Sequence, residues 1–136
     1  MAAAAQMKVL FDGGNLHIVN ITGTWDTADE VDTIVFNASD YKGPDGQTMG
    51  AGSTKIEEIT YSVSGDFESV NLEWDATTDD VIEKLSGQGY FDYKPFGGKQ
   101  DPASTGGTGD IVLTSVGGTT NSNYSILMVI RKKQNK

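Results

Sequence analysis

The segment that decides the fold covers Val70–Gly98 and reads VNLEWDATTDDVIEKLSGQGYFDYKPFGG. Val70, Leu72 and Trp74 alternate with polar residues, which is the pattern of a half-buried strand. The short polar side chains of DATTDD suit a turn. A second alternating stretch, Val81–Leu85, follows this turn. We therefore predict a β-hairpin here, with a short helix in the second arm as the alternative.

Four aromatic residues follow the hairpin within seven positions, and aromatic rings bury more apolar area than most side chains. They are Tyr90, Phe91, Tyr93 and Phe96. We predict that this region is the centre of the core, with Leu72, Trp74, Phe91 and Phe96 as its buried members. The rings also allow a sugar-stacking platform, although packing in the core or at a subunit interface is the interpretation that we favour.

Six further stretches have the alternation of short strands, and the 17 glycines supply tight turns between them. These stretches are Met7–Asp12, Leu16–Thr24, Val31–Ala38, Thr54–Ser64, Asp110–Val116 and Asn123–Arg131. In the third, Ile34 and Phe36 are expected on the core side. The sequence thus predicts a single all-β domain, a β-sandwich or jelly roll of about eight or nine short strands.

The two ends of the chain are predicted to lie outside this domain. We predict a flexible arm at 1–6, the β-sandwich at 7–131 and a basic tail at 132–136. Two loops without a strand pattern, Ser39–Ser53 and Gly97–Gly109, are long enough to carry function.

The net charge is −9, and only six of the ten basic residues precede Arg131, against all 19 acidic residues. An acidic body argues against nucleic acid as a partner, since phosphate binding needs clustered cations. No apolar run approaches the length that crosses a bilayer, so no membrane partner is expected.

Few residues in the sequence have the chemistry of a catalytic or metal site. The single histidine, His17, lies in an apolar strand and is interpreted as structural, and there is no cysteine, so zinc and thiol chemistry are not indicated. The chain is predicted not to be an enzyme, and no catalytic, cofactor-binding or metal-binding residue is assigned.

Acidic residues leave two weaker alternatives. One acidic cluster consists of Asp26, Asp29, Glu30 and Asp32, and the other of Asp75, Asp79 and Asp80. Each has the oxygen ligands that Ca²⁺ prefers but lacks EF-hand spacing, so polar turns are the favoured interpretation. A glycosidase pair formed by Glu73 and Glu83 is the second and more distant alternative.

Four stretches of the sequence resemble a family of tailed-bacteriophage virion proteins, similar to the capsid decoration (cement) proteins. They are NITGTWDTAD (20–29), ITYSVSGDFESVNLEWDATTDDVIEKLSGQGYFDYKPFGGKQDP (59–102), TGGTGDIVLTSVG (105–117) and YSILMVIRKK (124–133). WDATT, LSGQG and FGG are the most specific motifs. The resemblance implies a small β-rich protein on the assembled phage head and carries over no active site.

From this resemblance we expect a non-enzymatic protein that binds the major capsid protein on the outer surface of the phage head and stabilises it. It would be made in the host cytoplasm and would assemble as a homo-oligomer, with a trimer favoured. The expected capsid interface is the two chain ends: Ala2, Ala3, Ala4, Ala5, Arg131, Lys132 and Lys133. The alternative function is a carbohydrate-binding or adhesion module of a virion or cell surface.

Overall fold

The protein is built almost entirely of β-strands that form two antiparallel sheets. The computed structural model describes residues 6–24, 32–44, 46, 48–65, 67–119 and 122–132. Within them there are ten strands and two 3₁₀ turns, Ala38–Asp40 and Lys94–Phe96. The strands are β1 (Gln6–Asp12), β2 (Leu16–Thr24), β3 (Thr33–Phe36), β4 (Thr54–Ser64), β5 (Ser69–Trp74), β6 (Asp80–Leu85), β7 (Gln88–Asp92), β8 (Lys99–Gln100), β9 (Ile111–Val116) and β10 (Asn123–Lys132). The predicted all-β sandwich is confirmed.

The larger sheet has the order β1-β2-β10-β4-β7, with the two-residue strand β8 also pairing with β4. Its centre is β10, which pairs with β2 from Asn123 to Arg131 and with β4 from Asn123 to Lys132. Both neighbours of β10 come much earlier in the chain, so this sheet is joined mainly by long-range pairing.

The smaller sheet has the order β3-β9-β5-β6. Its β5 and β6 are the arms of the predicted hairpin, paired antiparallel from Val70 opposite Leu85 to Trp74 opposite Asp80. The strand prediction for the second arm is therefore confirmed over the helical alternative.

The core lies between the inward faces of the two sheets. The larger sheet contributes the alternate residues of its central strand β10, namely Tyr124, Ile126, Met128 and Ile130, all nearly inaccessible to solvent. The smaller sheet contributes apolar side chains of all four strands to the same cluster, among them Phe36, Leu72, Ile82 and Leu113. One continuous core therefore holds the two sheets together.

Four strands, β1, β3, β4 and β6, contain a β-bulge, in which an extra residue shifts the side chains that follow it. Its effect on burial is clear in β3 and β4. In β3 the register shifts between Ile34 and Phe36, which leaves Phe36 buried and Ile34 exposed. The expectation that Ile34 faces the core is therefore wrong. In β4 the register skips Glu57. Ile56 and Ile59 are therefore both buried, although residues three positions apart in a regular strand face opposite sides.

The predicted core residues are only partly in the core. Trp74 and Leu72 are buried, as predicted, and Phe91 is partly buried and packs against the core. Phe96 is 83% exposed, so its assignment to the core is wrong. It ends the 3₁₀ turn that follows β7, and Gly97, with φ 85°, turns the chain there before it returns to the sheet at β8.

The observed strands extend one residue beyond the predicted domain at each end. β1 begins at Gln6 and β10 ends at Lys132, rather than at residues 7 and 131. The predicted arm residues Ala2, Ala3, Ala4 and Ala5 and the tail residue Lys133 lie outside the described residues.

The two long loops are attached to each other by a buried carboxylate. Asp101 accepts hydrogen bonds from the backbone N–H of Gly52 (2.8 Å) and of Ala103 (2.8 Å). These bonds join the loop before β4 to the loop before β9. Within the described part of the chain, no helix has the length and apolar character needed to cross a membrane.

We predict that Trp74→Ala lowers the free energy of unfolding by about 3–5 kcal/mol, because it removes a large buried ring. The matched control is Phe96→Ala, which removes an exposed ring and should change stability by less than about 0.5 kcal/mol. Urea unfolding of both variants checks this. Equal losses in the two would contradict the assignment of the core.

Candidate interaction surfaces

The most exposed apolar strand of the molecule is β1, at one edge of the larger sheet. All seven of its residues are exposed, and four of them are large and apolar: Met7, Val9, Leu10 and Phe11. Within the described residues β1 pairs with β2 alone, so its other edge carries backbone N–H and C=O groups without a strand partner. Proteins usually protect such an edge with charge, proline, a β-bulge or short length. β1 has Lys8 and a bulge between Val9 and Phe11, but most of its length is large and apolar.

The pairing register explains why β1 is uncovered. Met7 lies opposite Ile21 and Val9 opposite Val19, and both of these β2 residues are buried in the core. Met7 and Val9 therefore point to the inner side of the larger sheet, where the smaller sheet does not extend far enough to cover them. Val9 remains 42% exposed. The sequence analysis missed this surface, although consecutive apolar residues at 9, 10 and 11 were a signal for it.

A second apolar area lies on the outer face of the larger sheet. Phe11 of β1 is opposite Ile18 of β2, and Ile18 is opposite Val129 of β10. Ile18, Val129 and the neighbouring Leu127 are half-buried, and Phe11 is exposed. This row continues from the apolar edge of β1 into the middle of the sheet, so the edge and the outer face form one candidate interaction surface.

The basic residues at the end of β10 are held by the domain itself. Arg131 donates to the carboxylate of Glu57 through Nε and an Nη nitrogen, at 3.3 and 3.2 Å. Lys132 is only 3% exposed, so its assignment to a capsid interface is wrong for this isolated domain. A buried ammonium needs partners, and Lys132 finds them in segments far from it in sequence.

Lys132 is the centre of a polar cluster that closes one end of the sandwich. Its Nζ donates to Asp12 Oδ1 (2.6 Å) and to the backbone oxygens of Gly13 (2.7 Å) and Lys42 (2.9 Å). The Nδ1 of His17 lies 3.0 Å from the same Asp12 oxygen. The cluster thus joins β1, β2, β10 and the loop that follows β3.

Two groups of this cluster, His17 and Asp12, have shifted pKa values. Burial lowers the pKa of His17, and its hydrogen bond to Asp12 opposes the effect without cancelling it. Burial acts to raise the pKa of Asp12, but hydrogen bonds from Lys132 and His17 outweigh it and lower the pKa. His17 also packs against the rings of Phe36 and Tyr41. It is a structural histidine, as the sequence predicted.

The two described chain ends leave the larger sheet at opposite ends. Gln6 is opposite Thr22, which pairs with Ser125 near the start of β10, whereas Lys132 ends that strand. Seven residues of strand separate Ser125 from Lys132, which is about 23 Å. A small contact at one end of the sandwich therefore cannot include both Gln6 and Lys132.

The four clustered aromatic residues do not form one platform. Phe91 stacks between Tyr61 (5.7 Å between ring centroids) and Tyr93 (5.9 Å) beside the core. The hydroxyl of Tyr93 donates to Glu83 of the smaller sheet at 2.6 Å, and Lys99 lies 3.2 Å from the same carboxylate. Of the four, only Tyr90 and Phe96 are exposed, so a sugar-stacking surface made of all four rings is excluded.

One residue from each of the two acidic clusters meets on the outer side of the smaller sheet. Oxygens of Asp32, Glu73 and Asp79 all lie within 4.8 Å of one another, an arrangement that could hold a metal ion. Burial, followed by the charge of Asp79, raises the pKa of Asp32 and of Glu73. Asp26, Asp29 and Glu30 lie outside the described residues.

The glycosidase pair suggested by the sequence is not formed. Glu73 lies with Asp32 and Asp79, on the side of β5 opposite to the buried Leu72 and Trp74. Glu83 instead contacts Tyr93 and Lys99 between the two sheets. The two carboxylates are therefore on different sides of the smaller sheet and cannot act on one bond.

In comparisons with known proteins, no family model matches the sequence, and no curated protein or solved structure is significantly similar to it. The functional interpretation therefore depends on the residues and surfaces described above.

We predict that Lys132→Ala lowers the free energy of unfolding by at least about 2 kcal/mol, because it removes the ammonium that pairs with Asp12 and the donor of two carbonyl oxygens. Lys84→Ala, at an exposed position of β6, is the control and should be nearly neutral. Denaturant unfolding at neutral pH measures both. A neutral Lys132→Ala would show that the cluster does not hold β1 and β10 together.

Replacing Glu73 or Glu83, in adjacent strands, by neutral glutamine should change the melting temperature at pH 7 in opposite directions. The pKa of Glu73 is raised in the fold, so its ionisation costs stability as the pH rises through and above its ordinary value of 4.5. Glu73→Gln should therefore raise the melting temperature at pH 7 and lose that advantage below about pH 4. Glu83→Gln removes the charge that pairs with Lys99 and should lower the melting temperature at pH 7.

Thermal unfolding at both pH values, without added metal, tests this pair of variants. A stabilising Glu83→Gln, or a Glu73→Gln that destabilises at pH 7, would contradict the electrostatic assignment.

Proposed function

We propose that this protein is a non-enzymatic head decoration (cement) protein of a tailed bacteriophage, which binds the outer surface of the assembled capsid and stabilises it. The observation that carries the proposal is the apolar edge strand β1, which is exposed along its whole length. The resemblance of the stretches around WDATT, LSGQG and FGG to virion proteins supports the same class. The protein would be made in the host cytoplasm and reside on the phage head.

The partner at β1 is the major capsid protein. A strand of the capsid surface that pairs with the open edge of β1 gains backbone hydrogen bonds, and Met7 and Val9 supply apolar contacts on the inner side. The predicted arm, Ala2–Ala5, directly precedes β1 in sequence, so arm and strand form one continuous binding segment. Contact with neighbouring capsid subunits adds interface free energy that the pressure of packaged DNA must overcome.

The exposed charges have a smaller part in this interaction. Arg131 is partly exposed but already paired with Glu57, and Lys133 follows β10 in sequence. Exposed ion pairs contribute little affinity and act mainly on the association rate and its salt dependence. The acidic body gives neither nucleic acid nor a membrane a basic surface to bind.

We predict that Val9→Lys weakens binding to undecorated heads by at least about tenfold, because a lysine on the inner side of β1 opposes docking of an apolar strand. The matched control is Val81→Lys in β6, an edge strand of the smaller sheet. Val81 is 48% exposed, close to the 42% of Val9. Co-sedimentation of each variant with heads, after melting curves confirm folding, makes the comparison.

Equal loss of binding in both variants would indicate a general charge effect. Normal binding by Val9→Lys would place the capsid contact elsewhere and remove the main support for this proposal.

We also propose that the protein self-associates, with a trimer favoured because decoration proteins occupy capsid symmetry positions. The half-buried apolar residues on the outer face of the larger sheet, Ile18, Leu127 and Val129, are available for such a contact. Light scattering at micromolar concentration should give about three times the 14.5 kDa mass of the chain. A monomer under these conditions would contradict self-association in the absence of heads.

A further inference from the structure

A pocket of about 300 Å³ lies between the loop that joins β5 to β6 and the loop that precedes β9. It is remote in sequence from β1 and from the capsid interface proposed above. Its lining residues are Thr77, Thr78, Asp80, Ser104 and Thr105. We propose that this pocket binds a neutral polyhydroxylated ligand, the size of one or two saccharide units.

Hydrogen bonds between the two loops hold the pocket in shape. The backbone N–H of Thr77 donates to the carbonyl of Thr105 (3.1 Å), and that of Thr108 donates to the carbonyl of Asp75 (3.3 Å). The hydroxyl of Thr108 also donates to the Asp75 carboxylate at 2.9 Å. Gly106 has φ 79°, and a Cβ there would lie 2.1 Å from Thr77 Oγ1, so only glycine fits this turn. Such preformed walls lower the ordering cost of binding a ligand.

Asp80, at the start of β6, provides a carboxylate with one unpaired oxygen. Its Oδ2 is buried and has no partner among the described residues. Buried polar atoms normally have a partner. This oxygen is shielded from solvent, so a ligand can pair with it only after the side chain turns towards the pocket. Because the terminal torsion of aspartate is broad and roughly two-fold, rotation can present either oxygen to the pocket.

The chemistry of the lining selects the class of ligand. Four hydroxyl groups and one carboxylate offer both donors and acceptors, which match the vicinal hydroxyls of a sugar, and the threonine methyl groups can contact its C–H faces. No basic residue is among the lining residues, and the chain is strongly acidic, which disfavours an anion. A single carboxylate is a poor ligand set for Ca²⁺, and the volume is far larger than one ion requires.

This site differs from the aromatic platform that the sequence made possible. It uses hydroxyls of two loops, one of which is the long segment Gly97–Gly109. A saccharide site here adds a recognition function to the proposed capsid binding, and neither depends on the other.

The test is a titration of the ¹⁵N-labelled full chain with glucose, galactose, mannose and N-acetylglucosamine, followed by NMR and complemented by a glycan array. At least one sugar should shift the amide signals of Thr77, Thr78, Ser104 and Thr105 with millimolar affinity or better, whereas those of β1 stay unchanged. Asp80→Ala and Thr105→Val should each weaken binding by at least about tenfold. Thr60→Val, at an exposed position of β4, is the matched control and should bind as the unchanged chain does.

Absence of shifts and of array binding for every sugar would overturn the proposal. Shifts of these amides with CaCl₂ but not with sugars would overturn it in favour of a cation site, and full sugar binding by Asp80→Ala would overturn the role of the carboxylate. Since Asp80→Ala should still bind undecorated heads normally, failure here and failure of capsid binding are distinguishable.

Discussion

The rest of the structure depends on the pairing of β10 between β2 and β4. Alternate residues of β10 form a fully buried row against the smaller sheet, and this row is the middle of the core. Because β10 is the last of the described strands, the larger sheet lacks its centre until this strand is in place. The ammonium of Lys132, at the end of this strand, then attaches β10 to Asp12 at the end of β1. Apolar burial and the pairing of one buried ammonium thus act at the same element.

The unequal size of the two sheets determines where the molecule can bind a partner. The smaller sheet has four strands and covers the middle of the larger one, so the inner side of β1 is left without a cover. An uncovered apolar edge is costly in water and favours association, because a partner strand both pairs the backbone and removes apolar surface from solvent. The proposed binding surfaces therefore lie at the margin of the sandwich, in strand β1 and in the loops beside β5 and β9. The interior is filled by packed side chains.

Environment also gives chemically identical groups different roles. Glu73 and Glu83 are both in the β5–β6 hairpin, yet one lies among carboxylates and the other accepts from Tyr93 and Lys99. Lys132 and Lys133 are adjacent in sequence, and Lys132 is a buried structural group that cannot serve as part of a solvated basic tail. The number of charges in a sequence segment therefore does not show which of them are exposed to a partner.

The sequence by itself determined the strands, because the alternation of apolar and polar residues is local: the bounds of β2 and β4 agree with those predicted. It also identified Leu72 and Trp74 as core residues and His17 as structural. It could not show that Phe96 projects into solvent, that a bulge exposes Ile34, or that Lys132 is buried. The exposure of Phe96 depends on how far one sheet extends over the other. The exposure of Ile34 depends on an extra residue in a paired strand, and the burial of Lys132 depends on a partner 120 positions away. Only the tertiary structure decides these three outcomes, because each depends on contacts between segments that are far apart in sequence.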